Sequence, residues 1–216
     1  MFKKIALIIS LLLCTLIDIS AQNDSIKPKQ VITGFWVSPS RATKVNGIMF
    51  NLFPKFKGDF GPRIIIDPTI NGVELDLNPL GPIATGFLII PAVFGVFNIN
   101  FSTPLVEDSS TRKLFKKVNG LELSFVVMEQ TIISGLDVNI GGCFASKIHG
   151  VCISGIMNKN YLVNGVEFAV LRNITHKCSG IQIGLINSCD DLKGLQIGLY
   201  NINQKRSLPI INWSFK

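Results

Sequence analysis

The sequence predicts an all-β protein built from tandem strand-turn repeats of about 15 residues, with a β-solenoid as the favoured architecture. The first observation is a series of glycines, the last six of which are 15, 15, 15, 15 and 14 residues apart. The second is that apolar and polar residues alternate after each glycine, and the third is an asparagine that follows the later strands. The repeat glycines are Gly47, Gly72, Gly120, Gly135, Gly150, Gly165, Gly180 and Gly194, and the repeat asparagines are Asn158, Asn173, Asn187 and Asn201.

Alternation with a period of two predicts that each unit supplies one strand with a buried and an exposed face. In the last unit we expect Leu195, Ile197 and Leu199 to face inward, and Gln196 and Gly198 to face outward. The glycines are expected to hold the corners of the coil, because glycine adopts positive φ without steric cost. Asparagine also tolerates the left-handed region, so both ends of the strand can turn sharply.

The alternative architecture is an antiparallel β-barrel of the outer-membrane type, in which each unit is one strand of a meander. Such a barrel shows a 30-residue superperiod and aromatic girdles, whereas this chain shows neither and has two Tyr and two Trp. The apolar residues two places before and one place after each glycine indicate a change of inward phase there, which suits a solenoid corner. The closing segment 211–216, with Phe215 near its end, instead resembles the last strand of a barrel.

The first 21 residues have the three parts of a secretory signal peptide, namely basic Lys3 and Lys4, the apolar run 5–17 and the segment 19–21, which ends in small residues. We expect a linker at 22–33 and a single β-repeat domain at 34–216, with insertions near 54–68 and 87–117. The second insertion ends in a basic stretch that includes Lys116 and Lys117. This stretch is expected to be either a solvated loop or a patch that meets phosphates or anionic lipid.

Composition excludes a disordered chain, because 47% of the residues are hydrophobic and 16% are charged. The formal net charge of +7 suits an anionic partner, but the basic residues are scattered without aromatic neighbours, which argues against nucleic acid. His149 and His176 are expected to be turn residues, and no phosphate-binding, metalloprotease or nucleophile-elbow motif is present. We therefore expect no enzymatic activity and no cofactor.

Four carboxylates share one place in the repeat, two residues after the glycine: Glu74, Glu122, Asp137 and Glu167. Gln182 and Gln196 occupy the same place in the last two units. In a solenoid these residues would stack into a surface ladder. We expect this ladder to face solvent, although stacked acids could also bind a cation such as calcium.

Four cysteines remain beyond the signal segment: Cys143, Cys152, Cys178 and Cys189. Their spacings of 9, 26 and 11 include no C-x-x-C pair, so we expect no structural zinc site and no other metal site. An even number of cysteines in an exported chain permits one or two disulfides. Small buried apolar side chains are the equal alternative.

The segments Gly180–Asn187, Gly194–Asn201 and Lys205–Trp213 resemble exported surface repeat proteins of Gram-negative bacteria. Such proteins carry tandem units of the form Asn-Gly-Leu-Gln-Ile-Gly-Leu-x-Asn, and the resemblance covers 118–213 well and 31–216 loosely. The units at 120–142 depart from it, since they lack the glutamine and the terminal asparagine. The resemblance implies an envelope, outer-membrane or surface location, an unidentified envelope partner and no catalytic residues. We expect the repeated sheet to be a structural, adhesive or partner-binding surface, with a pore or anchor as the alternative role if the chain is a barrel.

Overall fold

The computed structural model describes residues 30–38, 42–52, 69–77, 81–83, 85–86, 116–127, 131–145 and 147–215. The signal peptide, most of the linker, the insertion at 54–68 and nearly all of the second insertion lie outside these residues. The strands are β1 (Gln30–Ser38), β2 (Ala42–Asn51), β3 (Thr69–Asp76), β4 (Lys116–Val127), β5 (Thr131–Cys143), β6 (Lys147–Ser154), β7 (Met157–Ala169), β8 (Arg172–Ile183), β9 (Ile186–Asn203) and β10 (Ser207–Ser214).

The strands form one sheet in chain order, and β1 to β9 pair in parallel. Each strand is in register with the next, so that the repeat glycines lie side by side, as Gly165 does with Gly180 and Gly180 with Gly194. Parallel pairing of successive strands confirms the β-solenoid and excludes the antiparallel barrel. Only β10 runs antiparallel, and it covers the edge of β9.

The stacked glycines are required by both their conformation and their packing. All of them have positive φ, between 105° at Gly34 and 151° at Gly194. A Cβ added at Gly180 would overlap the carbonyl oxygen of Gly165 in the preceding coil, and Gly194 stands in the same relation to Gly180. Any larger residue would therefore be strained and would also separate adjacent coils.

The faces of the strands are the reverse of those predicted. Gln196 is fully buried, whereas Ile197 and Leu199 are exposed and Leu195 is partly exposed. The predicted change of inward phase at the glycine is also wrong, because the residue after the glycine points outward. In β7 the alternation of inward and outward side chains is interrupted earlier in the strand, between Asn160 and Val163, which are both buried and three residues apart.

The apolar part of the interior includes a continuous column of side chains, contributed by the residue two places before each glycine. All its members have relative exposures of 0 to 2%. They are Val45, Ile70, Val118, Ile133, Ile148, Val163, Cys178 and Leu192. Burying each aliphatic side chain of this column contributes about 1.5 to 3 kcal/mol.

Two element boundaries differ from the sequence prediction. Strand β1 begins at Gln30, inside the predicted linker. Strand β4 begins at Lys116, so Lys116 and Lys117 lie in a strand and not in the basic loop expected there. Among the described residues, no helix has the length and apolar character needed to cross a membrane.

Candidate functional site

The interior of the solenoid contains a column of buried polar side chains, which is the first of its two unusual features. Glu74, Glu122, Asp137 and Glu167 are all fully buried, as are Gln182 and Gln196. The expectation that this ladder faces solvent is therefore wrong. Alternation separates a polar from an apolar face, but it does not say which one points inward, and here hydrogen bonds between coils satisfy many of the polar atoms inside.

Lys116 lies between the first two acids of this column. Its Nζ lies 2.8 Å from Glu122 Oε1 and 3.0 Å from Glu74 Oε2. Burial lowers the pKa of Lys116, but the attraction of Glu122 and Glu74 outweighs this and raises the pKa above its ordinary value. Burial raises the pKa of Glu122 to about 8, because repulsion from Glu74 and Asp137 adds to the effect and Lys116 offsets only part of it.

Glu167 is held by hydrogen bonds from three neighbouring side chains. Asn160 Nδ2 donates to its Oε2 at 3.2 Å, and Thr175 and Gln182 donate to its Oε1. Burial raises the pKa of Glu167, and these three hydrogen bonds oppose the rise. Gln196 then continues the chain, because its Nε2 donates to Gln182 Oε1 at 2.7 Å.

The repeat asparagines form a second buried ladder. Asn158 donates from Nδ2 to Asn173 Oδ1 at 2.9 Å, and the steps from Asn173 to Asn187 and from Asn187 to Asn201 are both 2.8 Å. Each of the first three also donates to a backbone carbonyl, as Asn173 does to Ile183 at 2.8 Å. The glycine of the Ile-Gly-Leu step makes room for this ladder, since a Cβ at Gly184 would lie 2.9 Å from Asn173 Nδ2.

One cluster in the interior contains groups that can bind a metal. Asp137, Cys143 and Cys152 are buried, and their carboxylate oxygen and two sulfur atoms lie within 4.8 Å of one another. The hydrogen bond with Cys143 lowers the pKa of the Cys152 thiol, but burial and the nearby carboxylates raise it overall, to about 11. Burial also raises the pKa of Cys143 and that of Asp137.

All four cysteines are free thiols and buried, so the structure contains no disulfide among them. All four belong to one apolar cluster, but among the described residues Cys178 and Cys189 lie outside the group formed by Asp137, Cys143 and Cys152. The two histidines lie on strands at the outer surface, where His149 Nδ1 is 3.2 Å from Asn164 Nδ2 and His176 Nδ1 is 2.9 Å from Asp190 Oδ2. The two histidines belong to separate surface contacts, neither of which includes a nucleophile.

The second unusual feature is an apolar outer face. The residues one and three places after the stacked glycines of β1 to β9 are apolar at all 18 positions. The inner column of this face is Phe35, Ile48, Val73, Leu121, Leu136, Val151, Val166, Ile181 and Leu195, and the outer column is Val37, Phe50, Leu75, Leu123, Val138, Ile153, Phe168, Ile183 and Ile197. All 18 side chains are partly or fully exposed, and Ile211 and Trp213 of β10 lie beside the last two.

A column of lysines lies on the other side of the glycine column along the strands, three residues before the glycine. It contains Lys44, Lys117, Lys147 and Lys177, each separated from the next by one intervening strand. Strands are about 4.8 Å apart, so these lysines recur about every 10 Å. Their spacing limits mutual repulsion and places positive charge along the edge of the apolar face.

The fold and these features define a parallel β-solenoid protein with a polar interior and an apolar outer face. No protein-family model matches the chain, and no curated protein or solved structure is similar enough to match it. The function is therefore argued from the two features themselves. Sequence reasoning identified the columns of residues correctly, but it missed the apolar face because it assigned those residues to the core.

Proposed function

We propose that this protein is a non-enzymatic envelope or surface protein of a Gram-negative bacterium, in which the repeated sheet is a structural and adhesive surface. The apolar outer face is the adhesive part, and it binds the surface of a membrane that contains anionic lipid. The single observation that carries this proposal is the apolar residue at all 18 outward positions of nine successive strands.

The dimensions of the face support a role in binding. Nine strands at about 4.8 Å spacing and two columns of side chains give a face of about 40 Å by 10 Å, or about 400 Å². Contiguous apolar patches of this size usually mark a site of interaction. Covering 400 Å² of apolar surface is worth on the order of 10 kcal/mol before the entropic costs of association.

The charge beside the face favours a lipid surface over an uncharged partner. Lys44, Lys117 and Lys177 are exposed and Lys147 is half-buried, and all four occupy the same place in the repeat. A basic edge beside an apolar face is the arrangement that binds anionic lipid at the membrane interface. Each lysine near such a surface adds about 1 kcal/mol of attraction.

The test is flotation of the purified protein with vesicles in a density gradient. We expect it to float with vesicles of phosphatidylglycerol and phosphatidylethanolamine, and to float less with phosphatidylcholine or at high salt. Sedimentation velocity without vesicles tests the competing possibility, in which two copies of the chain cover each other's apolar faces. A protein that forms a stable dimer and does not float has its apolar face covered by a second copy, and the lipid proposal is then wrong.

A pair of variants tests whether the apolar face, and not another part of the surface, binds the vesicles. Ile153→Asn with Phe168→Asn places polar groups at adjacent positions of the outer column and should abolish flotation. The matched control is His149→Ser with Asn164→Ser, which changes exposed polar residues of the same two strands immediately before the glycine and should float normally. Circular dichroism of both proteins confirms that the sheet is retained.

A further inference from the structure

Three residues with metal-binding side chains meet in the interior at the middle of the solenoid. Asp137 and Cys143 both belong to β5, and Cys152 lies beside Asp137 on β6. All three are fully buried, and their ligand atoms lie within 4.8 Å of one another. In a tetrahedral zinc site with zinc–sulfur bonds of 2.3 Å, two sulfur ligands are about 3.8 Å apart, so small side-chain rotations suffice to form such a site.

A second observation at the same place indicates a missing partner. Asp137 Oδ1 and Asn139 Oδ1 are buried and accept no hydrogen bond from the described residues. Asn139 belongs to the cluster, because its Nδ2 donates to Asp137 Oδ2 at 2.9 Å. Two unpaired buried oxygens in a native interior are costly, and a bound ion would satisfy both.

The sulfur atom of Cys152 is also held in position by this cluster. The Cys152 thiol donates toward Asp137 Oδ2 at 3.3 Å and toward Asn158 Oδ1 at 3.4 Å. Loss of the thiol proton would leave these oxygens free to face a cation. Lys116, whose charge acts on Asp137, lies in the adjacent strand and limits the net negative charge of the occupied site.

We propose that Asp137, Cys143 and Cys152 bind one thiophilic divalent cation, of which Zn²⁺ is the natural example, with Asn139 Oδ1 as the fourth ligand. Two thiolates and a carboxylate form a donor set typical of zinc. Binding releases the proton of each thiol, together with the proton that the Asp137 carboxyl holds when it is not ionised, and forms two metal–sulfur bonds without any change of oxidation state. The site would join β5 to β6 through the interior and would stabilise the fold.

The test measures metal content and a spectroscopic signature on the full chain. Protein purified without chelator should contain about one zinc per chain, and Cd²⁺ added to metal-free protein should produce a thiolate-to-cadmium absorption band that saturates at one equivalent. All five thiols of the full chain should still be titratable after unfolding with a chelator. Absence of the saturable band, or a disulfide between Cys143 and Cys152, overturns the proposal.

Two variants assign the site to these residues. Cys152→Ala should reduce the zinc content at least tenfold and remove most of the cadmium band. Cys189→Ala is the matched control, because this cysteine is equally buried but lies outside the cluster, and it should leave both measurements unchanged. The cadmium titration of the parent protein decides the question even if Cys152→Ala fails to fold.

Discussion

Gln196 Nε2 donates a 2.7 Å hydrogen bond to Gln182 Oε1 across one coil of the solenoid, and both side chains are fully buried. The same register aligns the two residues along the sheet. Identical amides that stack at the spacing of adjacent strands can each donate to the next one, which is how an interior of this kind satisfies polar groups. The hydrogen bonds of the interior are therefore as important to the fold as its apolar column.

Replacement of Gln182 tests this role of the amide column. Gln182→Leu removes a donor to Glu167 and the acceptor of Gln196, and both partners remain buried. We expect the free energy of unfolding to fall by about 2 to 4 kcal/mol, measured by urea denaturation. Ile183→Leu, one residue further on the outward face, is the control and should change stability by less than about 0.5 kcal/mol. Equal midpoints for the two variants would contradict the prediction.

The glycine column allows steric overlap to be separated from backbone strain. Gly180→Ala introduces a Cβ at positive φ that also overlaps the carbonyl oxygen of Gly165, whereas Gly34→Ala has a positive φ but open space around the new Cβ. We expect the Gly34 variant to lose about 1 to 2 kcal/mol and the Gly180 variant clearly more. Thermal unfolding followed by circular dichroism measures both. If the two lose the same stability, contact between coils at the glycines is not a constraint.

Removal of the buried ammonium leaves two acids without their counter-ion. Above pH 8, where Glu122 is ionised, Lys116→Met should destabilise the fold by about 3 to 5 kcal/mol, because the two acids stay buried without a positive partner. Lys117→Met is the control, since this neighbouring side chain is exposed. Denaturant midpoints of the two variants provide the comparison. A similar loss of stability in both variants would mean that the ion pairs of Lys116 with Glu74 and Glu122 contribute little to the free energy of unfolding.

Stability should fall as the pH rises from about 5 to 8. The folded pKa of Glu122 is raised to about 8 from its ordinary value of 4.5, so within this window the native state holds a proton that the unfolded state has lost. The stabilisation is complete below the unfolded pKa and is lost as the pH passes through the folded pKa, by up to about 4 kcal/mol. The raised pKa values of Asp137 and Glu167 act in the same direction.

Urea midpoints at pH 5 and pH 8 measure this dependence. Glu122→Gln carries no titratable group at that position and should show a smaller difference between the two pH values. A parent protein whose midpoint rises with pH would show that these carboxylates are ionised inside the fold.

The sequence was sufficient to predict the repeat, the strand in each unit and the solenoid, because the glycine period and the alternation are local signals. It was not sufficient to predict which face of each strand points into the interior. Ile197 and Gln196 alternate identically whichever side faces inward, and the decision depends on contacts between coils that no single unit reveals. The cluster of Asp137, Cys143 and Cys152 was missed for a similar reason, because spacing rules for metal sites assume local turns, whereas here Asp137 and Cys152 meet through the register of adjacent coils.

The last strand has a consequence for the assembly of these molecules. Successive coils of a parallel solenoid expose an unpaired edge to which another chain can add a strand, and repeated addition produces fibres. Strand β10 meets the edge of β9 in the opposite direction, and it carries Pro209, which has no amide hydrogen to donate, next to Ile210 with a φ of 66°. The register also shifts between Leu208 and Ile210. Strand β10 therefore disfavours the addition of another coil at this edge of the described sheet.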